Sequence, residues 1–179
     1  MRPLFITAHY DDLEVSAGGT AARYGGTSVV LSPKPTHGTR KEAEAAAAIL
    51  GIDLRSTLYH SVDALTRMAE SHDIIISVSP WDSHPDHQTA ASIARQVARK
   101  NKTRLWFMDH SIPGGYGQGP RPRHFVDTTA DSKRKRLALE CYNVLDAADL
   151  AAVDARDIYY GRIHGIIRAE GFTVEHSMQ

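Results

Sequence analysis

A single cysteine, Cys141, leaves the chain unable to form an internal disulfide, and a reducing compartment is the expectation. Neither sign of charge is in excess: Lys plus Arg and Asp plus Glu each number 21, so nothing signals a nucleic-acid or anionic-membrane partner. No apolar run approaches the roughly 20 residues of a membrane span. The first residues, MRPLFITAHYDD, read as a strand and lack the apolar core and small-residue cleavage site of a signal peptide. Cytoplasmic residence is therefore expected, with a homo-oligomer left open. Internal repeats and low-complexity linkers are also missing. A length of 179 residues suits one domain over 1–179 and is short for two. Cys141 itself reads as a small apolar residue on a helix.

What the chain does have is alternation. Apolar runs predict strands over Leu4–Ala8, Ser28–Leu31, Ser56–Tyr59, Asp73–Ser79, Arg104–Met108 and Phe125–Thr128. Amphipathic or alanine-rich stretches predict helices over Glu14–Tyr24, Arg40–Leu50, Ala64–Ser71, Asp86–Lys100, Lys133–Leu145 and Asp154–Ala169. The segment Ser111–Arg123, rich in Gly and Pro, predicts an irregular loop. Such βα alternation implies an α/β fold with a mainly parallel sheet. Ligands of open parallel sheets bind beyond the carboxyl ends of the strands, and two His/Asp-rich segments stand there. One is Ala8-His9-Tyr10-Asp11-Asp12 after the first strand. The other is Trp81-Asp82-Ser83-His84-Pro85-Asp86-His87 after the run Asp73–Ser79.

Ten histidines invite a search for metal chemistry. A strand entering a helix through a tight turn can aim His9 and Asp12 at one point, and both side chains are good zinc ligands. The plainer alternative is that the two aspartates cap the first helix. In the second segment Pro85 belongs in the first turn of a helix, which puts His84 at its N-cap with Asp86 and His87 just inside. A helix N-terminus disfavours an imidazolium, keeping His87 in its neutral, metal-binding form. Asp86 can accept a hydrogen bond from either histidine and fix its tautomer. Together His9, Asp12 and His87 make three protein ligands, the number a catalytic zinc uses when one position stays open. Asp11 is then the candidate general base. His84 is the candidate electrophilic stabiliser, whose protonated form could also serve the leaving amine. His72, His124, His164 and His176 have no ligand-like neighbours and read as surface or core residues.

At these residues the sequence resembles the PIG-L/LmbE-like family of zinc-dependent N-deacetylases. That family's Ala-His-Pro-Asp-Asp-Glu motif, followed by Gly-Gly-Thr, corresponds to Ala8-His9-Tyr10-Asp11-Asp12-Leu13 and Gly18-Gly19-Thr20. Its His-Pro-Asp-His motif is intact at 84–87, with Asp82 matching an acidic residue two positions before it. Weaker echoes are Glu42 with Leu50-Gly51, Val126-Asp127-Thr128 with Lys133, and Gly165 with Ala169-Glu170 and Phe172. The resemblance implies a Rossmann-like three-layer sandwich and a zinc held by His9, Asp12 and His87. It implies Asp11 as base, His84 stabilising the tetrahedral intermediate, and Asp86 tuning it. The implied activity is removal of an N-acetyl or similar acyl group from an amino-sugar-containing small molecule, such as a natural-product or glycoside intermediate. The same His₂Asp donor set also suits Fe2+.

Departures fall where substrate would be met. Tyr10 replaces the motif proline and Leu13 its last acidic residue. Ser32-Pro33-Lys34-Pro35 stands where relatives carry a Gly-Glu pair, and the helix arginine is offset to Arg40. Tyr10, Arg40 and Asp63 are the candidate substrate contacts. His37, His60 and His110 are candidates to line the pocket rather than to bind zinc, and Pro113–Gly117 is a candidate lid. The alternatives are a zinc amidase for another amide, such as a thiol conjugate, and a non-catalytic metal-binding relative. A dinucleotide-binding domain lacks its G-x-G-x-x-G after the first strand.

Overall fold

Short β-branched and aromatic runs become strands covered on both faces when helices follow each of them. The computed structural model describes residues 1–56, 61–110 and 119–175. The chain runs β1 (Pro3–Thr7), α1 (Asp12–Tyr24), β2 (Thr27–Val30), α2 (Arg40–Leu50), β3 (Asp53–Ser56), α3 (Val62–Ala69), β4 (Ile74–Ser77), α4 (Pro85–Asn101) and β5 (Arg104–Met108). It continues with β6 (His124–Asp127), α5 (Ser132–Leu139), α6 (Ala147–Ile163) and β7 (Ala169–Glu175). The sheet order is β3-β2-β1-β4-β5-β7-β6. The pairs among β1 to β5 are parallel, and β7 runs antiparallel to both β5 and β6. The expected α/β sheet is thus mainly parallel.

Side chains alternate between the two faces. Phe5, Ile74 and Ile76 pack with Leu13, Ala21, Leu50 and Ala138 of α1, α2 and α5. Leu4, Ile6 and Ile75 pack with Leu65, Ala94 and Val97 of α3 and α4. The result is three layers, helix–sheet–helix, with β1 and β4 side by side at the centre. That adjacency carries the two His/Asp segments to the same end of the sheet. Helix α2 starts and stops where the sequence predicts: Thr39 and Glu42 form a capping box, and Gly51 closes it at φ 72°.

Three expectations need correcting. The third strand lies at Asp53–Ser56, three residues earlier than predicted; its sequence DLRS is polar because β3 is the sheet edge. Helix over 154–169 is replaced by α6, a turn and β7. Gly165, at φ 72°, reverses the chain, and a Cβ on Gly161 would stand 2.5 Å from the Ile167 backbone. Cys141 lies just past α5, half-buried, rather than on a helix. Tyr59, His60, His176 and the Gly-rich segment 113–117 fall outside the described residues.

Helix α1 is broken at Ala17 (φ −141°, ψ 21°). The break frees the amides of Gly19 and Thr20, which donate to Glu170 Oε1 (2.8 Å) and Oε2 (2.7 Å). Lys135 Nζ bridges Glu170 (2.7 Å) and Asp157 (2.6 Å), all three buried. A Cβ on Gly19 would come within 2.6 Å of the Thr128 side chain, so Gly18-Gly19-Thr20 marks a close approach, not a nucleotide loop. Replacing Lys135 by Met leaves the buried Glu170 carboxylate without its cation, while Asp157 keeps Arg156 at 3.1 Å. The expected cost is about 3–5 kcal/mol in denaturant unfolding of the metal-free protein; a loss under about 1 kcal/mol would mean that water replaces the ammonium.

Candidate metal centre and active site

The turn after β1 is held by its own aspartate. Asp12 Oδ2 accepts from the amides of Ala8 (2.9 Å) and His9 (2.7 Å), leaving Oδ1 to face inward. Asp11 occupies the N-cap position of α1, yet its side chain makes no cap hydrogen bond, so the plainer capping reading does not apply. Its Oδ1 is buried without a partner. At the second segment the local prediction holds: Pro85 opens α4 and His84 is its N-cap, with Nδ1 accepting from the Asp86 amide at 3.2 Å.

Three donor atoms then converge. His87 Nε2 lies 3.3 Å from His9 Nδ1 and 3.2 Å from Asp12 Oδ1, and His9 Nδ1 is 3.6 Å from the same oxygen. Tetrahedral zinc with bonds of about 2.0–2.2 Å spaces its ligand atoms roughly 3.3–3.6 Å apart. The far side of each ring is fixed by a carboxylate: His9 Nε2 to Asp86 Oδ2 at 3.0 Å, and His87 Nδ1 to Asp82 Oδ2 at 2.8 Å. Those bonds place the ring protons outward and turn lone pairs toward the common point. Three lone-pair atoms facing one another in a buried site repel unless a cation or proton lies between them. His9, Asp12 and His87 therefore form a set able to hold one metal ion.

The electrostatics correct one expectation: without an ion His87 is held as an imidazolium rather than neutral, its two carboxylate partners outweighing the helix N-terminus. Burial alone would lower the His87 pKa, but hydrogen bonds to Asp12 and Asp82 outweigh it and push it up to about 10. Burial opposes ionisation of Asp12, yet His87 and His9 hold its carboxyl well below the usual range. For Asp86, Lys34 leads and Ser32 and His9 add, lowering its pKa strongly. Lys34 Nζ pairs with Asp86 Oδ2, and Ser32 Oγ donates to the same atom at 3.2 Å. The His84 pKa is lowered by burial and by neighbouring His87 and His9. With Nδ1 accepting, His84 presents Nε2–H as a neutral donor. This corrects the expectation that its protonated form serves the leaving group, because protonating Nδ1 would break the cap.

A second group, His9, His37 and His84, also comes close enough to be a metal set. However, the His9 and His37 rings stack 4.0 Å apart and 13° from parallel. In-plane lone pairs of stacked rings cannot meet at one ion, and His9 Nε2 already serves Asp86. His37 instead covers His9, with Nδ1 3.8 Å from Asp11 Oδ2. His110 is half-buried, its Nδ1 2.7 Å from Ser16 Oγ and its ring 5.1 Å from that of His87.

The predicted substrate contacts have partners of their own. Arg40 is exposed and paired with Glu44 at 2.8 Å. Asp63 is exposed and paired with Lys100 at 2.6 Å; Lys100 lies thirteen residues beyond His87 on α4, roughly 20 Å along the helix. The Tyr10 side chain belongs to the core cluster, and its carbonyl accepts from Tyr142 Oη at 2.7 Å. Lys34 and the Ser16–His110 pair were not assigned from sequence; only the position of Lys34 in the departed Ser-Pro-Lys-Pro stretch hinted at it. His72 bonds Met68 and Thr27, as an ordinary core histidine should.

No known protein-family model matches the sequence. Solved structures do match the fold. The conserved protein TT1542 from Thermus thermophilus superposes with TM-score 0.79 at 24% identity, covering 100% of this chain and 96% of that one. The N,N'-diacetylchitobiose deacetylase of Pyrococcus horikoshii gives 0.75 at 18%, covering 97% and 83%. GalB, the 4-carboxy-2-hydroxymuconate hydratase of Pseudomonas putida KT2440, gives 0.76 at 22%, covering 100% and 98%. The fold is the PIG-L/LmbE-like one. Since a deacetylase and a hydratase share it, the reaction has to be argued from the site.

Proposed function

We propose that the chain, as one domain over 1–179, is a zinc-dependent hydrolase that removes an N-acetyl or similar acyl group from a small amino-sugar-containing molecule. The reading rests on one observation: His9 Nδ1, Asp12 Oδ1 and His87 Nε2 face one another at 3.2–3.6 Å beside the unpartnered Asp11 Oδ1. His9, Asp12 and His87 hold the ion, and the resemblance of their motifs to the N-deacetylase family favours zinc, with Fe2+ compatible. Bound zinc supplies Lewis-acid polarisation and a more acidic water.

The chain's own residues supply the rest. Asp11 takes the proton of the water whose oxygen bonds to the amide carbon. The Nε2–H of His84 donates to the carbonyl oxygen as charge builds there. The C–N bond breaks, the nitrogen receives the proton held by Asp11, and a carboxylic acid and an amine are released. Asp86 and Asp82 keep the two ligand rings in register.

The chitobiose deacetylase among the structural matches supports the amino-sugar substrate, and the hydratase is the reason for a control. The zinc-loaded protein is offered N-acetylglucosamine, N,N'-diacetylchitobiose, a cysteine-conjugate amide, an N-acetylamino acid and an unsaturated hydroxydicarboxylate, with free amine and hydration both followed. Amine release from the sugars, at least about tenfold faster than from the other amides, is expected. Release from the other amides alone removes the sugar assignment; hydration alone removes the hydrolase.

A further inference from the structure

A cavity of about 350 Å³ opens beside the metal centre at the carboxyl ends of β4 and β5. We infer that it receives an aromatic substituent of the substrate while the amide lies at the His9–Asp12–His87 cluster; this rests on the hydrolase reading above.

The cavity is joined to the centre by shared residues. Asp82 and His110 line it, and Asp82 is the carboxylate that holds His87 Nδ1 at 2.8 Å. The His110 ring stands edge-on to His87 at 5.1 Å between centroids. A ligand lying against His110 is therefore about one ring away from the donor atoms. The position also fits the general rule that open parallel sheets bind ligands beyond their strand ends.

The walls define the class of occupant. Phe125, Tyr159 and Ile163 supply apolar surface. Tyr159 is 58% exposed and Ile163 54%, one helical turn apart on α6. Large apolar side chains left in water at the mouth of a cavity gain by being covered. Polar groups share the lining, among them Asp82, Asp109, His110 and Arg121, and Tyr160 Oη donates to Asp109 Oδ2 at 2.6 Å, anchoring that wall. A pocket of a few hundred cubic ångströms that joins apolar and aromatic side chains to placed polar groups is an ordinary form of a small-molecule site. Flat aromatic walls favour a ring by stacking.

Binding separates this proposal from the catalytic one. Isothermal titration is done on zinc-loaded Asp11→Asn protein with N-acetylglucosamine, its 4-nitrophenyl β-glycoside and N-benzoylglucosamine, and with 4-nitrophenol alone. At least one ring-bearing sugar is expected to bind about tenfold or more tightly than the parent. Which one does so tells whether the ring sits on the amine or the acyl side. The Tyr159→Ala/Ile163→Ala double variant should shrink that gap to about threefold or less. Equal affinities, or a gap that survives the double substitution, overturns the proposal. Saturable 4-nitrophenol binding that the double variant loses sustains the cavity even if no sugar amide is bound or cleaved, in which case the amino-sugar reading fails alone. No binding of 4-nitrophenol or of either ring-bearing sugar overturns the cavity.

Discussion

The His87→Ala protein is expected to lose stoichiometric zinc on dialysis and, with it, measurable amide hydrolysis, while remaining folded. Two donors, His9 Nδ1 and Asp12 Oδ1, stay behind, too few for a closed set around a catalytic zinc. Removing an outer partner such as Asp82 should weaken the metal by only about 10–100-fold, so Asp82→Asn is the graded comparison and His87→Ala the larger loss. The pH dependence follows from the same geometry. In the metal-free protein the His87 pKa is raised from 6.5 to about 10. Its imidazolium therefore stabilises the fold fully below about pH 6.5, and that contribution is lost as pH climbs toward 10. Zinc must displace this proton, so wild-type affinity should rise with pH up to that value, with about one proton released per ion near neutrality. Metal analysis, circular dichroism and titration calorimetry in buffers of different ionisation heat read all three effects. Full zinc occupancy in His87→Ala, or uptake independent of pH in the wild type, contradicts the ligand assignment.

Asp11→Asn should keep its zinc and lose turnover by about 10²–10⁴-fold in kcat, with KM little changed. The Asp11 side chain is not spent on the helix: no cap bond forms, and Oδ1 is buried with no partner. A buried acceptor left unsatisfied costs free energy in the resting protein, which is reasonable where an arriving water donates to it. The amide of Asn keeps the shape and one oxygen but takes no proton. Activity near wild type on a substrate found in the panel, with zinc content equal, would move the base elsewhere; His37, whose Nδ1 lies 3.8 Å from Asp11, is the next group to test.

Much of this was legible before folding. The strand–turn–helix at His9–Asp12, held by Asp12 on the Ala8 and His9 amides, and the Pro-opened helix capped by His84 are local events, so their ligand residues could be named from spacing. The α2 boundaries followed from Thr39, Glu42 and Gly51 for the same reason. Strand β7 was not legible. Its segment Ala169–Glu175 holds a glycine and two acidic residues, and only burial against Lys135 and the α1 amides makes Glu170 a core residue.

The partners of Arg40 and Asp63 were not legible for a related reason. Arg40 and Asp63 satisfied themselves with nearby opposite charges on exposed helices, Glu44 and Lys100, which no motif position reveals. Sequence alone determined the donor types and the alternating βα plan; Asp86, expected to serve His84 or His87, serves His9, and Asp82 serves His87. Tertiary structure alone decided that Asp86 of the second segment holds His9 of the first, that Lys34 caps Asp86, and that His110 lines the cavity beside the cluster. Short-range backbone chemistry is written in adjacent residues; contacts between β1 and β4, seventy residues apart, exist only once the sheet has ordered its strands.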